Sequence, residues 1–381
     1  MNNKSKYRIA ILTNYPSDLK SFTGGVETAT AGLLEGLRNY QDEFEFHIVT
    51  LSKGIEKNFT IEHDGFKFHI LSVPMSFFLK PHLPYNIIKA YWKIKKINPD
   101  LIHCQDNMAL AIASILSGYP CIFTIHGIKR MEAKLWRGKE YLSHQLDRIL
   151  EWFVHRNFHY FIAISPYASN FLNHNKKIIF NISNPVFSEF LISINENRKD
   201  YIIYVGPLIY LKQVHILINA FINLKKDFTD LKLIICGSQE DKKYYDGLQK
   251  IIKKNNTNGI TFIEHLPRKE LTEYIRKAFA LILPSLQENC PMVIAEAMAL
   301  GIPVIAARVS GIPYMIEDRK TGLLFNPGDA DDLADCIRLL FENYSLRNGI
   351  RNEALKVVQE LYKPDRVANL TVNVYRILSR K

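Results

Sequence analysis

Short apolar runs punctuate the chain, separated by longer stretches in which apolar residues recur at helical spacing. In the first half the runs are residues 8–12, 45–51, 101–104, 121–125 and 161–164. In the second half they are residues 201–205, 231–236, 260–263, 280–283 and 304–306. Runs this short and this continuous read as strands buried on both faces, the pattern of a parallel sheet covered by helices. Between Asn184-Pro185 and Asp200 the segment SINENRKD is polar and reads as a connector. The pattern therefore predicts an α/β protein of two domains, residues 1–186 and 187–363, followed by a terminal helix over 365–378.

Length and composition agree with that reading. The 381 residues exceed what one core spans, and a 47% hydrophobic content is ample for burial. No apolar run reaches the length needed to cross a bilayer, and the run Ile9 to Leu12 is too short for a signal peptide before Asn14 and Pro16 interrupt it. The cysteines Cys104, Cys121, Cys236, Cys290 and Cys336 are scattered and odd in number. They read as buried thiols in a reducing cytoplasm rather than a disulfide set or a zinc site.

The most informative segment is QENCPMVIAEAMALGIPV, residues 287–304, which sets Glu288 and Glu296 around the start of a helix. Pro291 suits the first helical position and Asn289 an N-cap, so the helix is expected from about 291 to 300, stopping at Gly301. Its first turn, with Met292 and Val293, offers backbone N–H groups and partial positive charge to a diphosphate. An isolated pair of glutamates at this spacing reads as solvated surface. Here a strand ending at Pro284 precedes the pair and another starts after Gly301, so the carboxylates stand at the carboxyl edge of a sheet.

In this segment Glu288, Glu296, Ala297, Met298, Ala299, Gly301, Pro303 and Val304 fall in register with the retaining glycosyltransferases of family 4, which the chain resembles. The resemblance extends to TGLLFNPGDADDLADCI (321–337), SGIPYMI (310–316) and YIIYVGPLIYLKQVHILINAF (201–221). It implies a GT-B fold of two facing Rossmann-like domains: an N-terminal acceptor domain, rejoined by the C-terminal helix 364–381, and a C-terminal nucleotide-sugar domain. The ligand site is expected outside the carboxyl ends of the strands. Donor-binding residues implied in this way are Gly24, Gly25, Gly206, Lys212, Glu288, Met292, Val293 and Glu296; Glu288, His126 and Lys212 are implied in catalysis. Glu288 would orient the donor sugar, Glu296 would hold ribose, Lys212 would compensate the leaving diphosphate, and His126 would lie near the transferred sugar. His103 matches a family histidine and reads as structural, while Gln105 stands where a second histidine is frequent.

The chain departs from the family at Pro207, where arginine usually follows the glycine, and has Gln213 where glycine is common. Arg308 is a candidate for the missing cation. The resemblance implies no protein nucleophile and no obligatory metal or other cofactor; Asp329-Ala330-Asp331 reads as a helix cap rather than a metal motif.

Lys and Arg total 49 against 38 Asp and Glu, a net charge of +11. Part of the excess lies in residues 77–96, which contain no acid, and part in residues 129–139. Both suit an anionic membrane surface or a phosphorylated lipid acceptor, at the inner face of the cell membrane. No nucleic-acid motif accompanies the charge, so nucleic acid is not an expected partner. Leu135, Leu142, Leu146, Ile149 and Phe153 recur at helical spacing and read as core. The expected function is hexose transfer from a UDP- or GDP-linked donor to a glycan or lipid-linked acceptor in cell-surface polysaccharide assembly. The alternative, kept open by Pro207, is an impaired relative acting as a nucleotide-sugar or glycan-binding regulatory subunit.

Overall fold

The computed structural model describes residues 6–22, 24–74, 81–132, 141–172, 177–191, 201–264 and 266–379. The connector SINENRKD, residues 77–80 of the acid-free stretch and residues 133–139 of the second basic stretch lie outside the described residues. The chain divides into two compact units, Met1–Phe187 with Lys363–Lys381, and Ser188–Tyr362. Among the described residues no helix is long and apolar enough to cross a membrane.

Unit 1 contains, in chain order, β1 (Tyr7–Leu12), α1 (Gly25–Leu37), β2 (Phe44–Lys53), β3 (Phe59–His63), β4 (Phe66–Val73), α2 (Leu83–Ile97), β5 (Leu101–Gln105), α3 (Met108–Ser117), β6 (Cys121–Ile125), α4 (Lys129–Glu132), α5 (Tyr141–Asn157), β7 (Tyr160–Ala163), α6 (Pro166–Ser169) and β8 (Ile178–Asn181). The strands form one sheet in the order β3-β4-β2-β1-β5-β6-β7-β8. All neighbours are parallel except β3 and β4, which form an antiparallel hairpin at the edge. Strand β1 shows why the apolar runs are continuous. Ile9 and Ile11 enter the core on one face of the sheet, with α1, while Ala10 and Leu12 enter the core on the other, with α2, α3 and α5.

Unit 2 contains β9 (Tyr201–Val205), α7 (Val214–Leu224), β10 (Lys232–Cys236), α8 (Lys242–Lys254), β11 (Ile260–Ile263), α9 (Arg268–Lys277), β12 (Ala280–Leu283), α10 (Met292–Ala299), β13 (Val304–Ala307), β14 (Leu323–Phe325), α11 (Ala330–Glu342) and α12 (Tyr344–Leu361). Its sheet is wholly parallel, in the order β11-β10-β9-β12-β13-β14. The final helix, α13 (Pro364–Ser379), returns to unit 1 and packs on α1. A Cβ on Gly36 would collide there with the carbonyl of Pro364, so the close approach of the two helices depends on that glycine.

One expectation needs correction. The stripe read as core on α5 is largely exposed: Leu142 (62%), Ile149 (58%) and Phe153 (37%) face outward. Glu151, Val154 and Phe158 turn inward instead, because this half-turn offset is the one that places Val154 and Phe158 against the sheet. Leu135 lies outside the described residues. Within the acid-free stretch two lysines are held by backbone carbonyls. On α2, Lys89 donates to the Ser72 carbonyl, and Lys95 donates to the Ser117 carbonyl at 2.8 Å, near the C-terminal end of α3.

Candidate functional site

In unit 2 strand β9 pairs with β10 on one side and β12 on the other. Chain order reverses there, the point along the carboxyl edge at which ligands bind in open parallel sheets. The loop after β9 is tightly fixed. Gly206 has φ +155°, and a Cβ on it would meet the hydroxyl of buried Tyr204 at 2.8 Å. The same hydroxyl donates to the Pro207 carbonyl at 3.0 Å. Gly237, after β10, lies so close to the Gly206 carbonyl that any side chain would collide. Farther along, a single turn over Tyr210–Lys212 ends at Gln213, with φ +51° and ψ 35°. That left-handed backbone explains the glycine preferred here in the family; Gln213 tolerates it with its amide donating to the Tyr210 carbonyl at 2.8 Å.

This turn carries Lys212 to Glu288. The ammonium donates to Oε1 of Glu288 at 2.5 Å, and the Ser285 hydroxyl donates to the same oxygen at 2.7 Å. The two side chains are only 18% and 11% exposed. A backbone bond from Leu286 N to the Leu211 carbonyl, 2.9 Å, ties the two loops together. Ser285 and Tyr204 carry little signal in the sequence; Ser285 is marked only by following Pro284, which breaks the chain just after β12.

Helix α10 begins at Met292, with Pro291 as N-cap at ψ 116° rather than as the first helical residue. Pro291, as N-cap, offers no side-chain hydrogen bond to the helix; just before it the Glu288 carbonyl accepts from Gly311 N at 2.9 Å, and Gly311 sits against the Asn289 carbonyl where no Cβ fits. Met292 and Val293 occupy the first turn. Glu296, on the next turn, is buried, and burial raises its carboxyl to about 7 against the opposing pull of Arg268, with Glu189 adding to the rise. Arg268 and Glu189 are themselves paired at 2.7 Å. The structure thus joins Glu288 to Lys212 and surrounds Glu296 with a separate charge pair. Arg308 is engaged with Asp318 at 2.6 Å. Burial pushes the Cys290 thiol up to about 12, so it is not a thiolate nucleophile at neutral pH. Asp329 caps α11 by accepting from the backbone N–H groups of Asp331 and Asp332.

Unit 1 has its own reversal of chain order at β1, between β2 and β5. After β1, Gly24 caps α1 with φ −124°, and its N–H donates to the Glu27 carboxylate at 3.2 Å. A Cβ on Gly25 would meet no described atom within 4 Å, so packing within the chain does not require glycine there. After β6, His126 enters a polar chain that the sequence did not reveal. Its Nε2 lies 2.5 Å from Gln105 Oε1, and its Nδ1 lies 3.3 Å from Asn184 Nδ2. Gln105 Nε2 is 3.3 Å from His103 Nε2, which also meets Thr124 Oγ1 at 2.7 Å, and His103 Nδ1 meets the buried Tyr375 hydroxyl at 2.6 Å. One assignment satisfies every contact: His126 donates through Nε2–H to Gln105 and accepts from Asn184, while His103 donates through Nδ1–H to Tyr375 and accepts from Gln105 and Thr124. Burial lowers both histidines to about 3, so both are neutral at physiological pH. A cavity of about 20 Å³ adjoins this chain of bonds, lined by His103, Gln105, Thr124, His126 and Asn184 among others.

Residues 189–357 match the family described as glycosyl transferases group 1, and residues 23–186 match glycosyltransferase family 4. The chain is similar to an uncharacterized glycosyltransferase of Methanocaldococcus jannaschii, 29% identical over 87% of this chain and 89% of that one. It is also similar to the sulfoquinovosyl transferase of Arabidopsis thaliana, 27% identical over 91% of this chain and 69% of the relative. Among solved structures it shares its fold with sucrose-phosphate synthase from Thermosynechococcus elongatus, at a TM-score of 0.82 and 19% identity, covering 98% of this chain and 99% of that one. An Anabaena protein, HepE, solved with UDP and glucose, has a TM-score of 0.74 and 18% identity over 97% and 99% of the respective chains.

Proposed function

The chain belongs to the glycosyl transferases group 1 family, and from that premise we propose that it moves a hexose-type sugar, with retention, from a nucleoside-diphosphate sugar to a glycan or lipid-linked acceptor. The observation that carries the reading is the Lys212–Glu288–Ser285 cluster at the reversal between β9 and β12. A lysine held by a carboxylate, with both side chains little exposed, is a stored cation, and an arriving diphosphate competes for it. When Lys212 turns to the phosphate, Glu288 is freed to accept hydrogen bonds from sugar hydroxyls.

In this reading the diphosphate also meets the first-turn amides of Met292 and Val293, Gly206 lets its backbone approach, and Glu296 accepts from ribose. Gly24 and Gly25, which the chain's own packing leaves uncrowded, let the α1 start approach the donor. Neutral His126 accepts from a sugar hydroxyl at Nδ1, exchanging its longer 3.3 Å contact with Asn184, rather than supplying charge. The acceptor hydroxyl attacks on the face the diphosphate leaves, its proton passing to the departing phosphate oxygen, so no protein nucleophile is used. The reaction is proposed to need no added metal, Asp329 being occupied at its helix cap. The exposed Tyr85, Ile88 and Trp92 of α2, spaced along one helix face among lysines, support contact with an anionic membrane surface.

A second reading, a nucleotide-sugar-binding subunit of reduced turnover, is favoured by Pro207 and by the engagement of Arg308 with Asp318. A panel of UDP- and GDP-sugars separates the two, with UDP-sugars first because the HepE relative was solved with UDP. Thermal stabilisation with nucleoside-diphosphate release in the presence of EDTA, lost in Glu288→Ala, supports transfer. Stabilisation without release, even with glycan or membrane extracts, supports the binding subunit.

A further inference from the structure

A cavity of about 830 Å³ opens beside α5 in unit 1, and its described lining shares no residue with that of the cavity at His126. Among the described residues the charges around it are unbalanced: Arg130, Arg148, Arg156 and Lys177 line it with one carboxylate, Glu151. That carboxylate is buried and already committed, accepting from the backbone N–H groups of Lys129 at 2.6 Å and Arg130 at 3.1 Å. It anchors the start of α4, its oxygens already holding two backbone N–H groups.

Several of these cations rest on aromatic rings. Arg130 lies 4.7 Å over Phe171, Arg156 lies 5.7 Å over Trp152, and Lys177 lies 5.1 Å over Phe161. Arg130 also donates to the Phe171 carbonyl; the rings beneath Arg156 and Lys177 leave their N–H groups for an anion in a way that pairing with a carboxylate would not. Burial and the neighbouring Arg130 lower the pKa of Lys177, a penalty that a bound anion would relieve. On the same rim Ile149 and Trp152 are 58% and 62% exposed. Apolar surface left open beside concentrated positive charge suits an amphiphile rather than a simple anion.

We propose that this cavity binds a phosphoryl group esterified to an apolar chain, with Arg148, Arg156 and Lys177 meeting the phosphoryl oxygens and Ile149 and Trp152 receiving the chain. The binding claim stands apart from the transfer reaction. Its consequence, that the ligand is the phosphate-linked lipid acceptor, rests on the transfer reading; Arg130, in the wall, lies four residues beyond His126.

The test is calorimetric titration of the full chain with decyl phosphate below its micelle concentration, compared with inorganic phosphate and decanol. The expected result is saturable binding of decyl phosphate, about tenfold or more tighter than either comparator. It should weaken about tenfold in Trp152→Ala and in the double variant Arg148→Gln/Arg156→Gln, both altered at exposed positions, with UDP-induced thermal stabilisation unchanged. Glu288→Ala should leave decyl phosphate affinity intact. Equal affinity in the variants, equal binding of either comparator, or displacement by UDP would overturn the proposal. If decyl phosphate binds as described while no donor sugar is ever turned over, the site stands and the transfer reading falls.

Discussion

The two units meet the same task, presenting side chains at the carboxyl edge of a parallel sheet, with opposite chemistry. Unit 2 places an ion pair there, Lys212 with Glu288, and keeps Glu296 in an environment that resists ionisation. Unit 1 places a chain of neutral groups there, running from Asn184 through His126, Gln105 and His103 to Tyr375, with both histidines held uncharged by burial. An ion pair can exchange one partner for a charged ligand. A satisfied neutral network offers direction without charge, which suits hydroxyls. On the proposed reading, this difference gives diphosphate chemistry to unit 2 and hydroxyl recognition to unit 1.

The largest effect is expected where charge is handled. Lys212→Ala should lower kcat by about 10²- to 10³-fold, the range for losing one preorganised stabilising group, with a smaller change in donor KM. Steady-state kinetics on the donor identified by the panel checks this, and a purely KM effect would erase the proposed role of unit 2. In unit 1, His126→Ala should lower kcat/KM for the acceptor about 10- to 100-fold and leave UDP affinity unchanged. Because His126 is lowered to about 3, kcat should show no inflection near pH 6.5 that disappears in the variant. Such an inflection would mean that the histidine works as a cation and would dissolve the contrast.

Stability sharpens the comparison further. Glu296 is raised from 4.5 to about 7 in the folded state, so it favours folding fully below pH 4.5 and loses that contribution as pH rises through 7. Glu296→Gln should therefore gain on the wild type over that window, by about 1–3 kcal/mol, in denaturant titrations at pH 5 and 8. The histidines of unit 1 act in the other direction. Lowered from 6.5 to about 3, His103 and His126 contribute stability that is present above pH 6.5 and lost as pH falls toward 3. The smallest effect is Tyr375→Phe, which strips His103 Nδ1–H of its acceptor and should cost about 1 kcal/mol in the same titrations.

Most of the architecture was legible because buried parallel strands are continuous apolar runs, and ten of them stand out from the amphipathic segments between. The hairpin β3–β4 escaped because β3 is exposed throughout and carries no apolar run. Its signal was the turn Asp64-Gly65, both residues at positive φ. The glutamates and Lys212 were legible through spacing and resemblance, but their pairing was not, since residues 76 apart meet only through the sheet order. The His126 network was hidden for the same reason: Asn184 and Tyr375 reach it from distant parts of the chain. On α5 the periodicity marks a helix but not its buried face, since exposed and buried stripes share the same spacing.

The central claim is that Lys212 leaves Glu288 for the diphosphate, and it is tested most directly by UDP affinity, measured by calorimetry without added metal, in Lys212→Met and Glu288→Gln. The account predicts opposite results: Lys212→Met weakens UDP about tenfold or more, whereas Glu288→Gln, which removes the competitor for the lysine, leaves UDP affinity equal or tighter while sugar transfer falls. Equal weakening of UDP in both variants would contradict it, showing the pair to be a fixed structural bridge.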